Sequence, residues 1–269
     1  MPKSIPPQFQ LKFRSTANAQ AVVSAPNARF TVLTPRLIRL EFSTAGQFED
    51  RASQAVWTRY QSVPPFEVRR LPDRLEIDTR ALLLTYHLDA PLKVQRSSAE
   101  GWGSGPSLRG IPLTIRVKAT GALWKPGQRD PGNLGGTYRT LDNANGSIHI
   151  PPGLVSRSGW AVYDDSHTLV HDEQGWITPR AHPENLDLYF FGHGHDYFGA
   201  LRDLARIAGE MPLVPRWALG NWWSRYWEYS EDEYRALIER FQSERIPLSV
   251  AIIDMDWHIT RTGNESSGW

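Results

Sequence analysis

The chain has 269 residues, 40% of them hydrophobic, no cysteine, and Lys+Arg 30 against Asp+Glu 29. This is ordinary globular composition, which excludes wholesale disorder, disulfides, thiol catalysis and cysteine–zinc sites. A formal charge of +1 without a long run of one sign offers no basic face for nucleic acid or an anionic membrane, and no apolar run is long enough for a membrane span.

Residues 1–20 form a polar, proline-containing lead-in. Their prolines and polar groups stand where a signal peptide needs an apolar stretch, so a cytoplasmic location is expected if Met1 is the true start. From Ala21 onward, short β-prone runs alternate with turn residues. Strands are expected at 29–33, 37–42, 75–78, 81–86, 113–117, 160–163 and 186–191. In the 37–42 run, Leu37, Arg39 and Glu41 alternate with Ile38, Leu40 and Phe42, the period of a half-buried strand. Prolines punctuate the runs and no helical stretch interrupts them, so residues 21–196 read as an antiparallel β-sandwich.

The pattern changes near Tyr197. Tyr197, Leu201, Leu204, Ala205 and Ala208 recur at helical spacing, Asp196 is a natural N-cap and Gly209 a natural stop. Residues 211–216 carry two prolines and read as extended linker, so 197–216 is helix and linker. Residues 217–223 then read as a buried strand. Ser230 to Glu233 is a capping box opening a helix whose face is Tyr234, Leu237, Ile238 and Phe241. Residues 248–253 are continuously apolar and end in Asp254, the signature of a strand buried on both faces of a parallel sheet. Residues 217–269 are therefore strand, helix, strand.

In a parallel sheet flanked by helices, function gathers at the C-terminal strand ends. The first such end carries residues 222–229 and the second residues 254–258, which together supply carboxylates, an arginine and aromatic rings. That mixture suits a polyhydroxyl ligand: carboxylates accept from hydroxyls and flat rings stack on the apolar face of a sugar. The 11 tryptophans fit either such stacking or a large aromatic core. Equally, Asp254 can cap a turn or pair with Arg225 and the tryptophans can fill a barrel rim. The run GlyHisGlyHisAsp at 192–196 lacks a third metal ligand at a recognised spacing and reads as a helix-capping turn. Residues 164–166 and 142–146 are turn chemistry. Residues 132–136 lack the lysine and context of a phosphate loop, and Ser156 has no nucleophile-elbow glycines.

The segments TrpAlaLeuGlyAsnTrpTrpSerArgTyr (217–226) and IleProLeuSerValAlaIleIleAspMetAspTrp (246–257) resemble glycoside hydrolase family 31, the α-glucosidase and α-xylosidase family. Residues 29–42, 133–142 and 187–192 are similar to that family's N-terminal sandwich, so the resemblance runs from about Ala21. It implies a β-sandwich N-terminal domain followed by the truncated start (β-α-β) of a (β/α)8 TIM barrel. It also implies retaining hydrolysis of α-linked sugars by two carboxylates, without a metal or organic cofactor. By the resemblance, Asp254 grips hydroxyls of the −1 sugar and Tyr226 is the aromatic residue at the first strand's end. Met255 stands toward the +1 side, and Asp256 and Trp257 share that loop. A complete barrel takes about 250 residues, so the nucleophile and acid/base are expected beyond Trp269 and residues 1–269 alone are expected to be inactive. The implied partner is an oligosaccharide or glycoside, with α-glucoside, α-xyloside and α-galactoside open. A stand-alone carbohydrate-binding sandwich and an inactive scaffold are the competing readings.

Overall fold

The computed structural model describes residues 5, 10–90, 92, 110–137, 144–209, 211, 213–255 and 258–266. The chain divides into two units, 1–210 and 211–269, each described by itself.

In the first unit, a 3-10 turn at Ala19–Ala21 is capped by the Asn18 side chain, which accepts from the Gln20 amide. Among the described residues twelve strands follow: β1 Val22–Ala25, β2 Ala28–Thr34, β3 Leu37–Phe42, β4 Glu67–Arg70, β5 Arg74–Asp78, β6 Leu82–His87, β7 Leu113–Val117, β8 Leu123–Trp124, β9 Ala161–Asp164, β10 Val170–His171, β11 Ile177–Thr178 and β12 Leu186–Phe191. They build two five-stranded sheets, ordered β1-β2-β3-β12-β9 and β4-β5-β6-β7-β8, and every pairing within them is antiparallel. β10 and β11 form a separate ribbon.

One apolar core joins the two sheets. Phe30, Ile38, Leu40, Phe42, Leu188 and Phe190 of the first pack with Leu75, Ile77, Leu84, Leu113 and Ile115 of the second. β6 shows why: Leu82, Leu84 and Tyr86 alternate inward while Leu83, Thr85 and His87 stay half-buried. The Trp124 ring lies 5.0 Å from Phe190 and 6.2 Å from Trp160, so these tryptophans belong to the core. Each large side chain fully buried here contributes roughly 1.5–3 kcal/mol.

β3 departs from its expected half-exposed pattern: all six of its residues are buried. Its Leu37, Arg39 and Glu41 face is covered by a second layer. Part of that layer is apolar, with Leu33, Leu37, Val56, Tyr189, Phe191 and Ile207 in contact. The rest is ionic. Arg39 donates to both carboxylate oxygens of Asp187 at 2.7 Å, and Arg180 reaches Asp187 at 3.0 Å and Asp165 at 2.9 Å. Arg29 grips Glu41 from β2, and Arg59 donates to the Tyr189 hydroxyl at 2.6 Å. Period-2 alternation gives the two faces but not what covers each, and here arginines replace water.

α1, Tyr197–Ala208, belongs to this unit. Asp196 caps it by accepting from the Gly199 amide at 2.9 Å, and Arg36 holds the same carboxylate at 2.7 Å. Gly209 ends it at φ 97, a conformation that residues with a Cβ rarely adopt. The Trp57 and Thr58 amides donate to the Ile207 carbonyl, fastening the helix end to the 50s segment.

The second unit contains β13 Trp222–Trp223, α2 Glu231–Ser243, β14 Val250–Ala251, β15 Arg261–Thr262 and β16 Glu265–Ser266. The expected buried strand at 217–223 is corrected. Pro215 opens a 3-10 turn at Arg216–Leu219, only Trp222 and Trp223 are extended, and Trp217 and Trp222 are exposed. The expected doubly buried strand at 248–253 shortens to two residues, with Ala251 and Ile253 exposed. Burial on both faces requires helices on both sides, whereas this unit's described residues supply one helix. α2 follows the sequence in its capping box, which forms in both directions, and in Tyr234, Leu237 and Phe241, which are half-buried, whereas Ile238, expected on the same face, is exposed. Among the described residues no helix is long and apolar enough to cross a membrane.

Candidate functional site

β13 and β14 run parallel, with Trp222 beside Val250 and Trp223 beside Ala251. The Ile252 amide extends the ladder to the Trp223 carbonyl at 3.0 Å, and Glu228 and Met255 form a further parallel bridge. The chain leaving each strand therefore stays beside the other. Tyr226 and Asp254 sit on these two neighbouring loops, at the C-terminal end of the strand pair.

The loops are held from beneath. Asn221 accepts from the Ser249 and Val250 amides and donates through its side chain to the Pro247 carbonyl at 2.8 Å. Gly220 packs where a Cβ would collide with the Ser249 side chain. Tyr234, on the half-buried face of α2, donates its hydroxyl to the Ile252 carbonyl at 2.7 Å. Rings lock the base: Trp223 packs edge-on to Phe241 at 5.3 Å, and Tyr229 tilts onto Tyr234 at 5.2 Å.

Above this base the surface is open. Tyr226 is 69% and Trp227 51% exposed, while Asp254 and Met255 are half-buried. The Arg225 guanidinium lies over the Trp227 ring, 4.5 Å from its centre. Arg225 is thus engaged with an aromatic face rather than as the ion-pair partner of Asp254 that the sequence also allowed. Tyr226 stands on the first of these loops and Asp254 and Met255 on the second; Asp256 and Trp257 lie outside the described residues. A carboxylate and exposed flat rings on neighbouring loops are groups that can accept hydroxyl protons and cover C–H faces.

Sequence reasoning missed two contributors. Tyr234 lies on the helix face expected from its spacing, and its hydroxyl, a polar tip that a purely packing position does not need, is the signal in the sequence. Trp227 is expected only as part of the 222–229 loop, and its stacking under Arg225 depends on the shape of that loop, which i, i+2 spacing does not specify.

The other motifs go elsewhere. His193 bonds Asp203 at 2.9 Å, His195 bonds the Arg157 carbonyl at 3.0 Å, and Asp196 caps α1. Asn133 organises its glycine-rich stretch by accepting from the Gly135 and Gly153 amides. Ser156 accepts from the Ser158 amide, and Asp164 from the Ser166 amide. Residues 138–143 lie outside the described residues.

Comparison with known proteins converges on one family. Residues 211–266 match the model of the glycosyl hydrolases family 31 TIM-barrel domain. The chain is 28% identical over 127 residues to an alpha-xylosidase of Saccharolobus solfataricus, covering 44% of this chain and 16% of that protein. It is 36% identical over 72 residues to alpha-glucosidase 2 of Bacillus thermoamyloliquefaciens, covering 27% and 9%. Among solved structures, a family 31 alpha-xylosidase from a soil metagenome, complexed with xylose, superposes with a TM-score of 0.57 at 13% identity, covering 89% of this chain and 41% of that one. A family 31 dextranase of Flavobacterium johnsoniae, complexed with isomaltotriose, gives 0.53 at 16% identity, covering 92% and 35%. The chain thus spans well under half the length of these relatives.

Proposed function

We propose that this member of glycoside hydrolase family 31 is the N-terminal part of a retaining α-glycosidase acting on terminal α-linked sugars of oligosaccharides. The observation that carries the reading is the parallel pairing of β13 and β14, which sets the Tyr226 and Asp254 loops side by side. Asp254 holds hydroxyls of the sugar at the cleavage point, Tyr226 and Trp227 offer ring faces, and Met255 borders the leaving side. Asp256 and Trp257 complete that loop. Retention needs one carboxylate to attack the anomeric carbon and another to protonate the leaving oxygen and then deprotonate water, with the two about 5–5.5 Å apart. In this reading those two carboxylates are not among residues 1–269, which provide sugar positioning rather than bond cleavage.

α-Xylosides and α-glucosides are the first substrates to test, because the relatives named above act on such linkages by their names; α-galactosides are the third. The test is direct. The 1–269 polypeptide should not hydrolyse nitrophenyl α-xyloside or α-glucoside, yet should bind xylose or glucose with amide shifts at 224–229 and 252–255. Asp254→Asn should weaken that binding about tenfold, the loss of one charge-assisted hydrogen bond. Unchanged binding in Asp254→Asn, or turnover by the polypeptide, would refute the reading.

A further inference from the structure

We propose that the first unit carries a second sugar-binding site, in the cavity between residues 47–51 and 180–187. The cavity measures about 390 Å³, within the range of small-molecule sites. The inference rests on the glycosidase reading only for the choice of a sugar as ligand.

The floor is charged and deeply buried. Glu41 and Asp187 have side chains 2% and 5% exposed, and each is clamped by arginines. Glu41 accepts from Arg29 and lies 3.1 Å from Arg39, while Asp187 is shared by Arg39 and Arg180. These groups are fixed before any ligand arrives. The walls are Phe48, Glu49 and Arg51 on one side and Arg180 and Asn185 on the other. Arg51 donates Nε and Nη2 to Glu49, which leaves Nη1 available, and Glu49 Oε2 takes one of these bonds, which leaves a lone pair. Phe48 is half-buried, with the Arg29 guanidinium 4.9 Å from its centre.

Two arguments select the ligand class. First, the carboxylates of the floor and wall are already matched by guanidinium groups, so the cavity favours neither a cation nor an anion. A neutral molecule that both donates and accepts, with an apolar edge for Phe48, uses what remains. Second, the same ionic layer is sealed elsewhere: Arg59 and Asp165 have side chains 0% exposed. Over Glu41 and Asp187, by contrast, that layer opens to solvent in a ligand-sized hollow. The geometry is that of a polyhydroxyl pocket with a preset floor.

The test titrates the 1–269 chain with D-xylose and D-glucose and follows backbone amide shifts. Saturable shifts at 47–51 and 180–187 are expected, and Arg51→Ala should weaken them at least about tenfold. The double variant Tyr226→Ala/Asp254→Asn should leave them intact. Circular dichroism checks that each variant is folded; if Arg51→Ala unfolds, Phe48→Ala replaces it. Shifts confined to 224–229 and 252–255, or no response at 47–51 and 180–187 to either sugar, overturns the proposal. In the parent chain, shifts at 47–51 and 180–187 without any at 224–229 and 252–255 would refute the glycosidase reading and leave this site standing.

Discussion

The Tyr234 hydroxyl meets the Ile252 carbonyl oxygen at 2.7 Å, two residues before Asp254. A helix side chain thereby anchors the backbone that presents the carboxylate. A buried or half-buried hydrogen bond of this kind contributes about 0.5–1.5 kcal/mol. Tyr234→Phe keeps the ring contact with Tyr229 and removes only the donor. Faster hydrogen exchange at 252–255, with α2 helicity unchanged, is the expected result.

The capping box at Ser230 and Glu233 satisfies two helix-end donors: the Ser230 amide bonds Glu233 at 2.9 Å, and the Glu233 amide bonds the Ser230 hydroxyl at 3.3 Å. Ser230→Ala should cost about 1 kcal/mol of α2 stability, and Ser230→Asp should recover most of it. Helical circular dichroism through a urea titration reads both variants.

Phe190 and Phe198 are the same residue type in opposite settings. Phe190 is 0% exposed between the sheets, whereas Phe198 is 77% exposed on α1. Phe190→Ala should destabilise by about 3–5 kcal/mol and Phe198→Ala by no more than about 0.5 kcal/mol. Chemical denaturation midpoints of the two variants give the contrast.

Arg39 is 1% exposed and serves both Asp187 and Glu41, which stand directly opposite each other across β12 and β3. Arg39→Ala would leave two buried carboxylates facing one another. A loss of about 3–5 kcal/mol is expected, measured by unfolding at neutral pH. Lowering the pH should narrow the gap between variant and parent, because protonation relieves the repulsion.

The pH dependence of the parent follows from the same layer. Burial pushes Asp187 upward, but the charge and hydrogen bonds of Arg39, with Arg59 and Arg180 behind, outweigh it and hold the carboxyl well below its ordinary 3.8. Asp203 behaves alike: burial opposes ionisation, and the hydrogen bonds from His193 and Thr34 lower it. A depressed carboxyl contributes stability that is present above its unfolded value and lost as pH falls toward the folded one. Glu41 has the opposite sign, since burial raises it despite Arg39 and Arg29, and it softens the loss. The melting temperature should hold above about pH 5 and fall below about pH 4. Asp187→Asn should flatten that fall; an unchanged profile would refute the assignment.

The fold was legible where hydrophobic period and turn residues agree. The run at 113–117 and that at 186–191 are strands with the same bounds in sequence and structure. The α1 boundaries were legible because Asp196 and Gly209 have local chemistry that needs no tertiary partner. What failed was long-range. The 37–42 run read as a half-buried strand because nothing in its own segment announces Arg180 or Asp187 as neighbours of Arg39. Trp217 to Trp223 read as buried strand because apolarity alone does not reveal whether a covering layer is present. For the candidate site, the two loops were legible as strand ends, while their support by Tyr234 depended on a helix-to-strand approach.

Phe190 and Leu188 enter the hydrocarbon between the sheets, while Asp187 and Tyr189 meet arginines on the other side. A one-residue slip of this interior strand would exchange the two sets. It would drive a carboxylate into oil and strand three guanidinium groups without their anchors. Such a slip is penalised on both surfaces at once, so oil on one side and charge on the other together exclude a shift of the 186–191 segment by one residue.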